Sequence, residues 1–217
     1  EGRILDRGLL DRAEQELKRQ YIGRGYYAVS ISTTVTPLER NRVAINFDIS
    51  EGQVAKIRQI NIVGNSEFKD KALRDEFVLR TPGWLTWYSK NDQYSKQKLQ
   101  ADLEALRSFY QNRGYLEFDI ESTQVSISPD KEDIYITINV NEGPLYMVSE
   151  VRLAGDLAVD EAELRRLVHV RGGEVYSREK LQRTAKDISD RLGAEGYAFA
   201  NVNAVPDINR EKATAAF

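Results

Sequence analysis

The sequence repeats itself, and this repeat constrains the fold more than any other feature. An apolar strand pattern ending in glycine occurs twice, 91 residues apart, at Ile57, Ile60, Ile62 and Gly64 and again at Val148, Val151, Leu153 and Gly155. A short amphipathic helix pattern follows each copy. A longer helix pattern occurs three times and ends each time in Gly-Tyr, at Gly25, Gly114 and Gly196. Such self-similarity is typical of a tandem array of one small unit.

The longer helix has clear start and stop signals in every copy. Asp6, Ser95 and Ser177 stand where an N-cap oxygen accepts from the free N–H groups of the first turn. The glycine at the other end can adopt the left-handed conformation that turns the chain sharply. These signals predict that each helix leads directly into a strand.

The segments after this helix alternate apolar and polar residues, which predicts half-buried strands. A final apolar strand follows in two copies and closes with Glu-Gly, at Glu51-Gly52 and Glu142-Gly143. In the central copy the apolar positions change from even (Leu116, Phe118, Ile120) to odd (Val125, Ile127). Such a change predicts a β-bulge within residues 121–124.

The repeating unit is therefore β-α-α-β-β, an α+β unit whose two helices cover one face of a three-stranded mixed sheet. The predicted modules are residues 1–52, which lack the first strand and helix, residues 53–143, which are complete, and residues 144–217, which stop inside the last strand. Both chain ends are expected to cut through a unit. The connections between modules are very short, so neighbouring modules are expected to be semi-rigidly coupled.

Charge and composition exclude several classes of function. The 31 basic and 34 acidic residues give a net charge of -3, which does not favour binding to nucleic-acid phosphates. The absence of cysteine excludes disulfides, thiolate metal sites and cysteine nucleophiles, and it suits a periplasm as well as a cytosol. No apolar run approaches the roughly 18 to 20 residues that span a bilayer, so a soluble chain is expected.

No pattern predicts catalysis, a cofactor or a metal site. Gly23-Arg24-Gly25 begins a G-x-G-x-x-A match, but a helix precedes it where a dinucleotide site needs a strand. The only histidine, His169, occupies the position that Val78 has in the central copy, so a structural role is favoured.

The remaining polar candidates also have ordinary explanations. Ser95 and Ser177 serve as helix caps. Paired carboxylates such as Asp102 with Glu104, or Glu161 with Glu163, are two residues apart on helices, do not face each other, and are interpreted as solvated faces. We therefore expect a binding protein and not an enzyme.

The central copy alone carries a nine-residue insertion, residues 81–88 and their surroundings, with both tryptophans of the chain. Its aromatic residues Trp84, Trp87 and Tyr88 have two interpretations that stay open. They cap the core of the module, or they form a contact surface, since Trp and Tyr are enriched in binding hot spots.

The outer strands of each predicted sheet are further candidate sites. An outer strand has unpaired N–H and C=O groups that need protection or serve as a template for an added strand. Main-chain pairing tolerates many sequences, which suits a protein that binds many extended polypeptides.

Several longer runs resemble a known family. They are Thr36-Pro37-Leu38, Gln59 to Asn65, and Ser122 to Ser126 followed by Pro129-Asp130-Lys131. With the repeated unit, they are similar to POTRA modules of the outer-membrane protein assembly family, over essentially the whole chain. Module order and the tryptophan insertion resemble the second, third and fourth modules. The resemblance implies a periplasmic location and a membrane connection only through a C-terminal barrel outside this sequence.

The resemblance also implies partners and sites. The partners are unfolded outer-membrane β-barrel proteins and accessory lipoproteins of the assembly machinery. In the family the last strand lies between the other two, so the outer strand predicted over residues 115–127 is the expected site of strand addition, with Leu116, Phe118, Ile120, Glu121 and Val125. Phe77, Leu79 and Arg80 resemble a region implicated in lipoprotein docking.

Two other interpretations remain. One is a POTRA array of a two-partner secretion or organelle import protein. The other is a tandem nucleic-acid-binding α/β protein, against which the balanced charge argues.

Overall fold

The computed structural model describes residues 4–83, 90–155, 157–197 and 200–217. They form two compact units. The first contains the described residues of Glu1–Asn61, Phe77–Leu103 and Thr123–Ile138, and the second those of Ile62–Glu76, Glu104–Ser122 and Asn139–Phe217. The boundary between the units crosses the strands of the middle sheet, so the predicted module boundaries stay a prediction.

The described residues contain five helices and eight strands. The helices are α1 (Arg7–Gly23), α2 (Asp70–Asp75), α3 (Lys96–Gln111), α4 (Glu161–Arg165) and α5 (Arg178–Ala194). The strands are β1 (Ser30–Leu38), β2 (Arg42–Ser50), β3 (Lys56–Val63), β4 (Asp119–Ile127), β5 (Asp133–Asn141), β6 (Met147–Val148), β7 (Asp207–Asn209) and β8 (Thr214–Ala216).

The strands form three sheets, which confirms the α+β class. Their orders are β1-β2, β3-β5-β4 and β6-β8-β7. In the third sheet β8 is parallel to β6 and antiparallel to β7, so the sheet is mixed. In both three-stranded sheets the last strand lies between the other two, as the family resemblance implied.

The predicted helix caps are present at Asp6 and Ser177. The Asp6 carboxylate accepts from the backbone N–H groups of Gly8 and Leu9, and Ser177 Oγ accepts from that of Lys180. Gly25, Gly114 and Gly196 follow their helices with φ between +93° and +103°. A residue with a Cβ atom is strained in that conformation, which accounts for glycine at this point in all three copies.

Each compact unit has its own buried side chains. In the first unit the buried apolar residues come from β3, β5, α3 and the segment after α2. Among them are Ile57, Ile134, Ile136, Leu79 and Leu99. The second unit contains a group of rings in which Tyr110 stacks on Phe118 with centroids 4.1 Å apart, and Phe68 meets the rings of Phe109, Tyr110 and Tyr115 edge to face. A separate cluster there contains Tyr146, Val148, Val170, Tyr176, Leu181 and Ala215.

Within the described ranges, no helix combines the length and apolar character needed to cross a membrane.

Candidate functional site

Strand β4 is an outer strand, and its hairpin with β5 fixes which of its backbone groups point away from the sheet. The Ser128 N–H donates to the Asp133 carbonyl (2.9 Å), which places these residues opposite each other. Ser122 and Asn139 are opposite in the same register, and Asn139 Nδ2 donates to Ser122 Oγ (2.7 Å). The pairing is therefore regular from Ser122 to Ser128.

Alternate N–H groups of a strand point to opposite sides. The N–H groups of Ser122, Gln124 and Ser126 are thus directed at β5, like that of Ser128. Those of Thr123, Val125 and Ile127 are directed away from the sheet. The outward groups form a row that an added strand could pair with.

The sequence of this edge carries few of the features that block strand addition. Residues 122–127 contain no charged residue and no proline, the usual protection of an outer strand. Their neighbours at the start of the strand, Asp119 and Glu121, are acidic and exposed. The unprotected stretch is therefore the last two-thirds of β4. We call it the β4 edge (residues 122–127).

The strand begins later than the sequence predicted. We expected a strand over residues 115–127, but β4 starts at Asp119. Residues 115–118 form a turn in which the Leu116 N–H donates to the Gly114 carbonyl (3.0 Å) and the Phe118 N–H to that of Tyr115 (3.1 Å). Leu116 and Phe118 are spaced as in a strand, but their spacing reflects packing within the turn.

Two of the predicted contact residues are consequently packed against buried side chains. Phe118 is buried and stacks on Tyr110, and Leu116 packs against the buried cluster around Tyr176. Ile120 is half-buried, while Glu121 and Val125 are exposed. Of the five predicted residues, Ile120, Glu121 and Val125 are therefore the ones a partner could reach.

The half-buried positions of β4 are Ile120, Thr123 and Ile127. Their parity changes once, between Ile120 and Thr123, within the region where a bulge is predicted. Because the pairing is regular from Ser122 onward, the predicted bulge would lie at the start of the strand. The bulge itself stays a prediction.

The second predicted site lies after α2. Phe77 and Leu79 are only 3% and 1% exposed and belong to the core, so their side chains are not available to a partner. Val78 between them is 48% exposed, and Arg80 is partly exposed. Trp84, Trp87 and Tyr88 lie outside the described residues.

Asp102 corrects the prediction of a solvated carboxylate face. Its side chain is 1% exposed and accepts from the backbone N–H groups of Val78 (2.7 Å) and Leu79 (2.9 Å). Burial raises the pKa of Asp102, and the two hydrogen bonds act against that rise. The residue fixes the backbone next to the docking candidates, a role that helix spacing alone does not reveal.

The third copy uses threonine for the same task, which gives a matched test. Thr184 Oγ1 accepts from the His169 N–H (2.9 Å), and these residues are the counterparts of Asp102 and Val78. We expect Asp102→Ala to lower the free energy of unfolding by about 2–4 kcal/mol, because the buried N–H of Leu79 and the part-buried N–H of Val78 lose their acceptor. Asp102→Thr should lose clearly less. Urea denaturation of both variants measures the difference, and equal losses would contradict this role.

Glu142, from the Glu-Gly that closes β5, is a buried carboxylate with four hydrogen bonds. It accepts from the Ser66 N–H (2.8 Å), the Ser66 hydroxyl (2.6 Å), the Glu67 N–H (3.2 Å) and the Tyr110 hydroxyl (2.7 Å). Burial acts to raise the pKa of Glu142, but the hydrogen bonds from Ser66, Tyr110 and Glu67 outweigh it and hold the pKa below its ordinary value. The repeat signature Glu-Gly thus has a structural cause.

The lowered pKa makes a prediction about acid stability. A carboxylate whose pKa is lower in the folded state stabilises the fold above its unfolded pKa, about 4.3 for glutamate, and loses that contribution as the pH falls through the folded value. Glu142→Gln cannot titrate. The stability difference between the parent chain and Glu142→Gln should therefore be largest above about pH 5 and shrink towards pH 3, as measured by urea denaturation across that range. A difference independent of pH would contradict the lowered pKa.

The remaining polar candidate, His169, lies 2.7 Å from a carboxylate oxygen of Asp187 through Nε2. Among the described residues, no group of three or more His, Cys, Asp or Glu side chains could hold a metal ion.

Comparison with known proteins matches this architecture. The family model POTRA, described as "Surface antigen variable number repeat", matches residues 1–52, 55–143 and 146–216, which we call the first, second and third POTRA segments. The outer membrane protein assembly factor BamA of Neisseria meningitidis serogroup B is 34% identical over the whole of this chain, which covers 27% of that protein. BamA of Buchnera aphidicola is 32% identical over 82% of this chain, which covers 29% of that protein.

The chain thus spans less than a third of the length of these relatives. A crystal structure of Haemophilus influenzae BamA POTRA3-5 is similar over 95% of this chain and 77% of its own, with a TM-score of 0.59 and 20% identity, a likeness that concerns the fold. The three matched segments correspond to the three copies of the repeat and to the three sheets, and together they cover nearly the whole sequence. This chain therefore belongs to the POTRA family.

Proposed function

We propose that this chain is a non-enzymatic periplasmic scaffold of an outer-membrane protein assembly factor. In this role it receives unfolded outer-membrane β-barrel proteins. The names of its relatives support the assembly role, since they are called outer membrane protein assembly factors. The POTRA repeat supports the scaffold role, because each unit repeats a small sheet with an outer strand.

The observation that carries the proposal is the β4 edge. Its N–H groups at Thr123, Val125 and Ile127 are directed away from the sheet. Residues 122–127 contain no charged residue and no proline that would block an added strand. An unfolded β-barrel protein consists of extended segments with strand-forming sequences, which can pair with such an edge through main-chain groups alone. Binding of this kind tolerates many different client sequences.

Accessory lipoproteins of the machinery are the second class of proposed partner. We propose that they dock at the surface of Val78 and Arg80, which the insertion with Trp84, Trp87 and Tyr88 follows in the sequence. The Asp102 carboxylate holds this backbone in place, so the surface is preformed. A preformed surface loses less conformational entropy on binding.

Two alternatives make different predictions. A POTRA array of a two-partner secretion or organelle import protein would bind one dedicated class of cargo, so a panel of unrelated strand peptides would separate it from a general client receptor. A nucleic-acid binder would show an affinity for RNA or DNA that falls steeply with salt.

Proline substitutions test strand addition at the β4 edge. Val125→Pro removes an outward N–H and leaves the pairing with β5 intact, which is where an outer strand tolerates proline. We expect it to weaken binding of peptides copied from single strands of outer-membrane β-barrel proteins by about tenfold, roughly 1.4 kcal/mol. Fluorescence anisotropy with labelled peptides measures this change.

Two control variants accompany this test. Val125→Thr keeps the N–H and a β-branched side chain, so it should bind like the parent chain. Gln124→Pro removes an N–H directed at β5 and should lower the stability of the fold. Unchanged peptide binding by a folded Val125→Pro variant would exclude this edge as the docking strand.

A further inference from the structure

The second and third POTRA segments are connected by backbone hydrogen bonds that recur at the junction between the first and second. The Ala55 N–H donates to the Gly25 carbonyl (2.9 Å), and the Tyr94 N–H donates to the Ala55 carbonyl (3.1 Å). Tyr146 repeats this arrangement, donating to the Gly114 carbonyl (2.8 Å) and accepting from the Tyr176 N–H (3.0 Å). The backbone connection is therefore a property of the repeat.

The second junction adds side-chain contacts that have no counterpart in the repeat. The Glu117 carboxylate accepts from the Tyr146 hydroxyl through one oxygen (2.7 Å) and from Arg210 Nε through the other (2.9 Å), and Arg210 Nη2 lies 2.8 Å from that same oxygen. Tyr146 is fully buried. The hydrogen bond to the buried tyrosine is charge-assisted and directional, while the ion pair with the exposed Arg210 side chain contributes less.

A second group of contacts lies at the start of α5. Asn112, just after α3, accepts through Oδ1 from the Glu179 N–H (2.9 Å). The N-terminus of α5 is thus capped twice, by its own Ser177 and by a residue of the preceding segment. Arg178 donates from Nη1 to Glu104 (2.9 Å) and Gln111 (3.0 Å) of α3.

The first junction has residues that cannot make these contacts. Aligned through the repeat, Glu117 corresponds to Ala28, Tyr146 to Ala55 and Asn112 to Gly23. None of these three has a polar side chain. The side-chain contacts are therefore specific to the second junction and are not required by the POTRA unit.

We propose that Glu117, Tyr146, Arg210 and Asn112 form a polar latch that fixes residues 104–122 of the second segment to the third segment. The latch contacts all lie within the second compact unit, which joins these same residues. Its members come from the turn after α3, the residue before β6, the turn before β8 and the residue after α3. They therefore restrain the junction from several directions. The latch adds side-chain restraints to the short linker and to the backbone hydrogen bonds that both junctions share.

Spin labels test the latch directly, because the chain has no cysteine of its own. Labels at Lys69→Cys and Gln182→Cys occupy exposed positions on the two sides of the latch. We expect one narrow distance distribution in the parent chain, measured by double electron–electron resonance. Glu117→Ala combined with Asn112→Ala should broaden it at least twofold.

Two further variants separate loss of the latch from a general loss of folding. Tyr146→Phe removes one hydroxyl and keeps the ring, so it should broaden the distribution less, even if the double variant folds poorly. Lys186→Ala removes an exposed ion pair with Asp190 within α5 and should leave the distribution unchanged. A width that stays at the parent value in folded Tyr146→Phe and Asn112→Ala variants would overturn the latch.

Discussion

Replacing Gly64 with alanine should lower the free energy of unfolding by about 2–5 kcal/mol. Gly64 has a φ of +97°, which costs an L-residue about 1–2 kcal/mol. A Cβ atom there would also lie 2.1 Å from the carbonyl oxygen of Val140 on the central strand β5, and overpacking of this kind costs about 1–3 kcal/mol. Urea denaturation measures the loss.

The third segment has a matched control at the same position of the repeat. Gly155 has a φ of +118°, but among the described residues a Cβ atom there would meet no atom within 4 Å. Gly155→Ala should therefore cost only the backbone strain, about 1–2 kcal/mol. Equal losses for the two variants would show that the contact with Val140 is not what requires glycine.

Replacing Glu142 with alanine should also lower the free energy of unfolding by about 3–5 kcal/mol. The substitution leaves the buried Tyr110 hydroxyl and the part-buried N–H groups of Ser66 and Glu67 without their acceptor. A buried donor without a partner costs about 1–3 kcal/mol. It also opens space next to the ring of Tyr110. Thermal and urea denaturation should agree on the loss.

Glu51 provides the control for Glu142. It occupies the same position of the first Glu-Gly pair, and it hydrogen-bonds Tyr21, the counterpart of Tyr110. Glu51 is exposed, so water replaces its contacts, and Glu51→Ala should cost less than about 1 kcal/mol. A loss from Glu51→Ala as large as that from Glu142→Ala would contradict the role given to burial.

The repeat predicted the fold because its signals are local. Asp6 and Ser177 cap their helices, and Gly25, Gly114 and Gly196 turn the chain, each through contacts within a few residues. The central position of the last strand came from the family resemblance, and the sheet orders confirm it.

The sequence did not predict features that depend on distant contacts. Asp102 looks like a surface residue until the backbone of Val78 and Leu79 is placed beside it, 23 to 24 positions away. Leu116 and Phe118 are spaced like alternate residues of a strand because both pack inward from a turn. The internal alignment did contain a signal for the latch, since Glu117 and Tyr146 replace two alanines of the first junction.

The candidate site was predicted in part for the same reason. The sequence indicated an outer strand after Gly-Tyr, and β4 is one. It did not indicate which side chains stay accessible, because that depends on where the turn ends and on the register with β5. Ile120, Glu121 and Val125 remain as contact candidates, while Phe77, Leu79 and Phe118 belong to the core.

Photo-crosslinking in cells tests the central claim, that the β4 edge receives extended clients, most directly. A photoreactive residue at Val125 or Glu121 should crosslink to several different outer-membrane β-barrel proteins, identified by mass spectrometry. One at exposed Lys186 on α5 should give few or none. Crosslinks to these clients that are equally abundant from Lys186, or absent from both β4 positions, would contradict the proposal.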